Sequence, residues 1–215
     1  MAEPIRFHFD PICPWCYQTS RWVRRLAELH VVDVDWGVFS LELVNAGTEL
    51  SERKGHQRSE AALRTAVTVR ADQGNAALGR FYAALGATVH EQGADLESPD
   101  TITAALEAAG LDAVLLEKAL GDESTWDAVT AEHTALIERT RSFGVPTIVL
   151  DGGDGPAIFG PVVTEPPTDD DAVELWRHVA WLTRYENFSE LKRDRSASPD
   201  LESVRRLAAQ QAAQR

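Results

Sequence analysis

The residues best suited to carry chemistry are the two cysteines of the chain, Cys13 and Cys16, which enclose a proline and a tryptophan in the motif Cys-Pro-Trp-Cys. Residues three apart in the first turn of a helix lie on one side, with Cα atoms about 5 to 6 Å apart, inside the range that a disulfide accepts. The pair can therefore open and close with little backbone movement. A single short crosslink would add little stability to 215 residues, so the spacing indicates redox chemistry.

The proline between the cysteines predicts which sulfur attacks. Pro14 suits the first helical position, where its missing N–H would have no intrahelical partner, and this puts Cys13 at the N-cap. There the sulfur faces unpaired N–H groups and the positive end of the helix dipole. We expect the pKa of Cys13 to fall from about 8.5 to between about 4 and 6, which makes it the nucleophile. Cys16, more buried, would resolve a mixed disulfide, while Trp15 either shapes a partner-binding face or simply packs on the surface.

A zinc site is the alternative use of two cysteines. It would need two further Cys or His ligands. The histidines lie singly along the chain, and none is spaced as a ligand pair: they occupy positions 8, 30, 56, 90, 133 and 178. The sequence therefore predicts no metal site.

The elements around the motif predict a strand-to-helix junction. Apolar and polar residues alternate from Ile5 to Phe9, the period of a strand with one buried face. Apolar residues then recur at helical spacing from Trp22 to Leu29, and a second alternating stretch runs from Val32 to Val38. These pieces form a β-α-β unit.

The sequence pattern predicts helices in the middle of the chain and strands again after them. The predicted helices of the middle are Gln57–Gln73, Ala76–Gln92, Pro99–Ala109, Asp112–Leu120 and Glu123–Thr140. The later elements are a hairpin of strands Pro146–Leu150 and Ala157–Gly160, a helix Asp169–Arg184, a surface segment Tyr185–Ser198 and a terminal helix Pro199–Ala212. The helical block is too long for a crossover. We therefore predict an α/β fold with a thioredoxin-like core and an inserted all-helical subdomain.

This order divides the chain into four regions. Residues 1–50 form the first part of the core, with a strand, the Cys-Pro-Trp-Cys helix and a second strand. Residues 51–140 are the helical insertion, and residues 141–184 complete the core with the proline-bearing strand, the hairpin strand and a helix. Residues 185–215 form a C-terminal tail and helix.

Two further positions are candidates for the site. Pro146, in Gly144-Val145-Pro146-Thr147, opens a strand, and a trans edge-strand start is one interpretation. In a thioredoxin-like core, a cis proline at this place would instead pack against the cysteine pair and present the backbone of Val145 to a bound thiol or peptide. His90 either caps the end of a predicted helix or lines the cleft between the insertion and the core.

Charge and hydropathy exclude several classes of protein. Thirty-four acidic against 21 basic side chains give a formal charge of −13, which disfavours nucleic acid and anionic lipid surfaces as partners. No stretch approaches the roughly 18 apolar residues of a membrane span, and the first residues lack the pattern of a secretory signal. We expect a cytoplasmic protein.

Taken together, these motifs resemble the DsbA-like thioredoxin family, and within it the mycothiol-dependent nitroreductase group of cytosolic relatives. The matching stretches run from residue 7 to about 195: Phe9–Cys16, Thr19–Trp22, Ser40–Leu41, Val44–Asn45, His90, Gln92–Gly93, Gly144–Thr147, Phe159–Val162 and Phe188–Arg193. The loop after Asn45 departs from that group, because it reads Ser51–His56 without a tyrosine. That difference weakens the expectation of nitro-compound reduction.

The resemblance implies roles for residues. Cys13 would be the nucleophile, Cys16 the resolving thiol and Pro146 the cis proline, with Trp15 and Asn45 near the substrate. The full set expected at the substrate is Pro14, Trp15, Asn45, His90, Val145 and Pro146. No permanently bound cofactor is implied; the resemblance points to a low-molecular-weight thiol, mycothiol, as the source of electrons.

The function expected from the sequence is a cytosolic thiol-disulfide oxidoreductase acting on small-molecule or protein disulfides, with small electrophiles or nitro compounds as further substrates. Two alternatives stay open. One is a glutathione-transferase-like or isomerase activity on the same scaffold, and the other is a non-catalytic redox sensor or interaction protein. The sequence also leaves the oligomeric state open, a homodimer being one option.

Overall fold

The computed structural model of the protein describes residues 1–47 and 58–213 and contains a mixed β-sheet. Its strands are Glu3–Phe9 (β1), Val32–Val38 (β2), Thr147–Leu150 (β3) and Ala157–Phe159 (β4), in the order β2-β1-β3-β4. β1 runs parallel to β2 and antiparallel to β3, and β3 and β4 form an antiparallel hairpin. This arrangement confirms the predicted β-α-β unit and hairpin.

Helices cover most of the remaining described residues. α1 (Pro14–Glu28) follows β1, and the short α2 (Leu41–Val44) follows β2. The helical block contains α3 (Glu60–Gln73), α4 (Asn75–Gly86), α5 (Pro99–Ala108), α6 (Val114–Gly121) and α7 (Ser124–Thr140), and the chain ends in α8 (Asp169–Arg184) and α9 (Glu202–Ala213). The helix predicted to continue to Gln92 changes after Gly86 into a π-helical turn, Ala87–Glu91. The predicted helix start at Gln57 and the loop Ser51–His56 lie outside the described residues.

One face of α1 anchors the helix between the sheet and α8. Trp22 of α1 is fully buried, as are Val23 and Leu26. The indole N–H of Trp22 donates to the Ala172 carbonyl at 3.1 Å, and its ring packs against Trp176 at 6.1 Å between centroids. These contacts fix the direction of α1, and therefore the position of the cysteine motif at its first turn.

The helical block shares a hydrophobic core with the sheet. Trp36 of β2 contacts the rings of Phe7 and Tyr82 at 5.4 and 5.8 Å, so strand and block meet in one aromatic cluster. A Cβ atom on Gly79 of α4 would lie 2.6 Å from the indole nitrogen of Trp36, so the close approach needs glycine. The side chain of Asn75 bonds both the N–H and the carbonyl of Trp36, each at 2.8 Å. These contacts hold α4 against the sheet.

The C-terminal helix closes back on the helical block. Arg206 of α9 donates to the Gly93 carbonyl at 2.6 Å, and Ser203 lies 3.0 Å from the ring nitrogen of His90. None of the helices in residues 1–47 and 58–213 is both long and apolar enough to span a membrane.

Candidate active site

The two thiols lie at the start of α1, where β1 leads directly into the helix. Cys13 is the N-cap residue and Pro14 occupies the first turn, as predicted. The Cys13 sulfur accepts a hydrogen bond from the amide of Cys16 at 3.4 Å, and the fully buried Cys16 thiol donates to the His8 carbonyl at 3.8 Å. Both cysteines are free thiols in this structure. The local sequence is therefore sufficient to place the sulfurs side by side.

The proline-bearing strand lies against this turn. The peptide bond between Val145 and Pro146 is cis. The Val145 carbonyl accepts from the Cys13 thiol at 3.9 Å, and the Pro146 carbonyl accepts from the amide of Gly160 at 2.8 Å. The residues that lead into β3 thus bring Val145 next to Cys13. A second cis bond, Gly160–Pro161, was not predicted.

An open cavity of about 240 Å³ adjoins the Cys13 sulfur. It is lined by Cys13, Trp15, Leu41, Phe143, Gly144, Val145, Phe159, Val162 and Arg195. The lining is mainly apolar, and Arg195 contributes the charge. Its guanidinium lies 4.8 Å above the ring of Trp15, a cation–π contact that joins the C-terminal segment to the cysteine motif. The cavity suits a small, largely apolar ligand.

The prediction that Cys13 has a low pKa is wrong, because its pKa is raised in this structure. Part of the residue reaches solvent, but its pKa is raised to about 11, mainly by burial of the sulfur and to a smaller extent by the charge of the Asp10 carboxylate. The amides of Cys16 and Trp15 and the charge of Arg195 act in the opposite direction, without overcoming burial. Burial also raises the pKa of Cys16 well above its ordinary value. The reduced site therefore favours two neutral thiols.

Asp10 is a site residue to which the sequence analysis assigned no role. Its carboxylate is fully buried and accepts from the amides of Ile12 and Leu41 at 3.1 and 2.7 Å and from the Ser59 hydroxyl at 3.0 Å. Burial raises the pKa of Asp10 to about 6. Asp10 thus connects the cysteine turn to α2 and to the residue before α3. The available signal was a charged residue at the end of an apolar strand, directly before the motif.

Four of the six residues expected at the substrate do not line the cavity: Pro14 and Pro146 are chain neighbours of lining residues, and the other two are His90 and Asn45. His90 is 2% exposed and does not line the cavity; its ring nitrogens lie 2.9 Å from the Pro11 carbonyl and 3.0 Å from the Ser203 hydroxyl. Its ring also stacks on Tyr17 at 5.3 Å. Asn45 follows α2, donates to the Leu41 carbonyl at 2.7 Å and is likewise not a lining residue. Both hold backbone that leads to the site.

Other lining residues were not foreseen. Arg195 and Phe143 come from segments without a regular sequence pattern, and the ring of Phe143, 68% exposed, packs on Phe159 at 4.7 Å. Within the described residues, no three His, Cys, Asp or Glu side chains gather in a way that could hold a metal ion. The site's reactive groups are therefore two thiols beside an apolar cavity.

Comparisons with known proteins agree with a redox site. A family model described as Rv2466c-like, mycothiol-dependent nitroreductase Rv2466c, matches residues 12–193. The uncharacterized protein Rv2286c of Mycobacterium tuberculosis is 34% identical over 202 residues, which cover 93% of this chain and 85% of that protein.

Solved structures show the same fold at low sequence identity. The cytosolic disulfide reductase DsbM from Pseudomonas aeruginosa, solved with GSH, has a TM-score of 0.60 at 14% identity, covering 83% of this chain and 99% of that chain. The probable DsbA oxidoreductase SCO1869 from Streptomyces coelicolor has a TM-score of 0.56 at 18% identity, covering 93% and 98%. The fold is accordingly DsbA-like, with a thioredoxin-type core and inserted helices.

Proposed function

We propose that this chain, which belongs to the Rv2466c-like family, is a thiol-disulfide oxidoreductase whose electrons come from a low-molecular-weight thiol. The observation that carries this proposal is the position of Cys13, whose sulfur faces the Cys16 amide on one side and the Val145 carbonyl on the other, at the edge of an apolar cavity. A disulfide or electrophile that enters the cavity would meet this sulfur first.

The reaction follows from the order of burial of the two sulfurs. Cys13 loses its proton and attacks a substrate disulfide, so that one substrate sulfur leaves as a thiolate and a mixed disulfide forms on Cys13. Cys16 then attacks the Cys13 sulfur, the second substrate thiol leaves, and an internal disulfide remains. The substrate gains two electrons and the protein loses two.

The high pKa of Cys13 makes its deprotonation the demanding part of this reaction. At neutral pH only a small fraction of the sulfur is ionised when the pKa is about 11. The Cys16 amide and Arg195 favour the thiolate, whereas burial and Asp10 oppose it. Nucleophilic attack therefore depends on the Cys16 amide and Arg195, which stabilise the thiolate once a substrate contacts the sulfur.

Mycothiol is the thiol that the family description suggests. The cavity of about 240 Å³ reaches Cys13, which leaves room for the thiol-bearing end of such a molecule. Trp15, Val145 and Arg195 are the residues that would contact it. The thiol would supply the electrons and protons that return the protein to the dithiol form. DsbM, whose fold is similar, has been solved with GSH, which is also a low-molecular-weight thiol.

The same chemistry extends to small electrophiles. Nitro compounds belong to this proposal because of the family description, while the loop that lacks the expected tyrosine lies outside the described residues. We also place the protein in the cytoplasm, where such thiols keep cysteines reduced.

Mass spectrometry and turnover of two variants test the proposal. With mycothiol disulfide as probe, Cys16→Ser should accumulate a single adduct of mycothiol mass, whereas Cys13→Ser should form none and should lose turnover in a mycothiol-coupled assay. Turnover of Cys13→Ser at the wild-type rate would refute the proposal. Catalysis by both variants without any change in thiol oxidation would favour an isomerase-type reaction. Redox cycling of the wild-type pair without substrate turnover would favour a sensor.

A further inference from the structure

A line of polar side chains runs from the resolving thiol along one face of α1. Cys16, Ser20 and Arg24 are spaced four residues apart and therefore share that face. Tyr82 of α4 lies opposite them. Its ring stacks on Phe9 with centroids 3.7 Å apart, and its hydroxyl lies beside the Cys16 sulfur and the Ser20 hydroxyl.

Several polar atoms on this line are buried without partners. Within the described part of the chain, the Tyr82 hydroxyl and the Nε and Nη2 atoms of Arg24 make no hydrogen bond, although all three are closed to solvent. The guanidinium of Arg24 instead lies over two rings, 4.1 Å from the centroid of Trp36 and 5.5 Å from that of Tyr82. Buried polar groups without partners are costly and call for an explanation.

Ser20 does not supply the missing partner. Its hydroxyl donates to the Tyr17 carbonyl at 2.7 Å, and although its oxygen could still accept, no hydrogen bond joins it to the Tyr82 hydroxyl. The Tyr82 hydroxyl is thus a donor without an acceptor beside a neutral thiol, and Arg24, two helical turns beyond Cys16, holds its charge against the Tyr82 ring. A negative charge on the Cys16 sulfur would give the Tyr82 hydroxyl its acceptor.

We propose that Tyr82 is a catalytic residue of the resolving step, whose hydroxyl donates a hydrogen bond to the Cys16 sulfur as that sulfur becomes a thiolate, and that Arg24 is a positioning residue whose guanidinium holds the Tyr82 ring. This inference rests on the proposed function. The helical block, through α4, then takes part in the chemistry as well as in the core.

The step balances without an external oxidant. The Cys16 thiol gives up its proton and attacks the Cys13 sulfur of the mixed disulfide. A bond forms between the two cysteine sulfurs, the bond to the substrate sulfur breaks, and the departing thiolate takes up a proton. Tyr82 keeps its proton throughout and acts as a hydrogen-bond donor.

Release of thionitrobenzoate from dithiobis(nitrobenzoic acid) separates the two steps. Attack by Cys13 releases one equivalent, and resolution by Cys16 releases a second. We expect Tyr82→Phe to leave the first phase unchanged and to slow the second about 10- to 100-fold, as for loss of a hydrogen bond to a charged group. The pH profile of the second phase should also move to higher pH. Arg24→Met should slow the same phase, and Arg24→Lys should restore part of the rate.

Controls separate this role from a structural one. Removal of an unpaired buried hydroxyl should leave the urea midpoint of Tyr82→Phe unchanged or higher. Tyr17→Phe, which removes a hydroxyl bonded to Glu91 at 2.8 Å, should keep both phases at wild-type rates. An unchanged second phase in both Tyr82→Phe and Arg24→Met, or no second release from the wild-type chain, overturns the role of Tyr82 and Arg24 but leaves the proposed function standing. A first phase that is no faster in the wild type than in Cys13→Ser overturns the proposed function, and the resolving step with it.

Discussion

The sulfur of Cys13 lies 3.9 Å from the carbonyl oxygen of Val145, a residue 132 positions further along the chain. The contact requires a proton on the sulfur, because a thiolate cannot donate to a carbonyl. Ionisation therefore removes the link between the cysteine turn and the proline-bearing strand. Together with burial of the sulfur, this contact favours the neutral thiol in the reduced protein.

We expect Cys13 to titrate far above the usual thiol range. Burial raises its pKa to about 11, so in Cys16→Ala, which has a single thiol, the alkylation rate with iodoacetamide should still be rising at pH 9. Cys13→Ala, tested in parallel, reports the contribution of the other sulfur. A rate that levels off below pH 7 would show that the helix N-terminus outweighs burial.

The carboxylate of Asp10 acts on both ionisation and stability. Its negative charge raises the pKa of Cys13, so Asp10→Asn should move the alkylation profile to lower pH. The same change weakens acceptance from the amides of Ile12 and Leu41, and we expect the free energy of unfolding to fall by about 1 to 3 kcal/mol. Asp33→Asn, at an exposed position of β2, should change neither quantity. An unshifted alkylation profile in Asp10→Asn would contradict the electrostatic argument.

Arg195 should favour anionic reagents at the cavity. Its guanidinium lies on Trp15 and lines the cavity beside Cys13. We expect Arg195→Gln to lower the rate of alkylation by iodoacetate relative to iodoacetamide by about 2- to 5-fold, the effect of one solvent-exposed charge. Arg193→Gln, two residues away and also exposed, is the matched control. Equal ratios in the two variants would show that Arg195 does not face the reagent.

Features that depend on neighbouring residues could be predicted from the sequence, whereas features that depend on the packing of distant segments could not. The N-cap position of Cys13 depends on Pro14, its next neighbour, and was predictable, as were the family and fold. The pKa of Cys13 was not, because helix-terminal donors are visible in sequence whereas burial of the sulfur depends on packing of distant segments. For the same reason, no pattern indicated that Arg195 reaches Trp15, or that His90 turns away from the cavity to Pro11.

Two buried histidines should make the protein less stable in acid. Burial lowers the pKa of His8 and of His90 from 6.5 to about 4. The unfolded chain therefore binds more protons than the folded chain between pH 4 and 6.5, so stability rises with pH across that window. Asp10, whose pKa burial raises from 3.8 to about 6, acts in the opposite direction, but it is a single group, and burial lowers the pKa of a third histidine, His133, as well.

His90→Gln isolates part of this effect. Glutamine can still donate to the Pro11 carbonyl but does not titrate, so the loss of stability between pH 7 and pH 5 should shrink by about 2 kcal/mol. Urea unfolding at the two pH values gives the measurement. His178→Gln, whose side chain is 70% exposed, should keep the wild-type difference. A wild-type difference in His90→Gln would mean that His90 titrates alike in folded and unfolded chains.

The close packing of α4 on β2 makes Gly79 sensitive to substitution. A Cβ atom there would lie 2.6 Å from the buried indole of Trp36, and we expect Gly79→Ala to lower the free energy of unfolding by about 1 to 3 kcal/mol. Gly121→Ala, at the end of α6 with open space around the new methyl group, should be neutral or slightly stabilising. Equal urea midpoints for the two variants would contradict the contact.

The strand that carries the nucleophile is bonded along both of its edges. β1 pairs with β2 on one side and with β3 on the other, and the cysteine turn follows it directly. Local opening of the native chain should therefore spare β1, and its amide protons should be among the slowest to exchange with heavy water. The nucleophile thus follows a strand that is held on both sides, and we expect local opening near the site to begin in the segments around that strand.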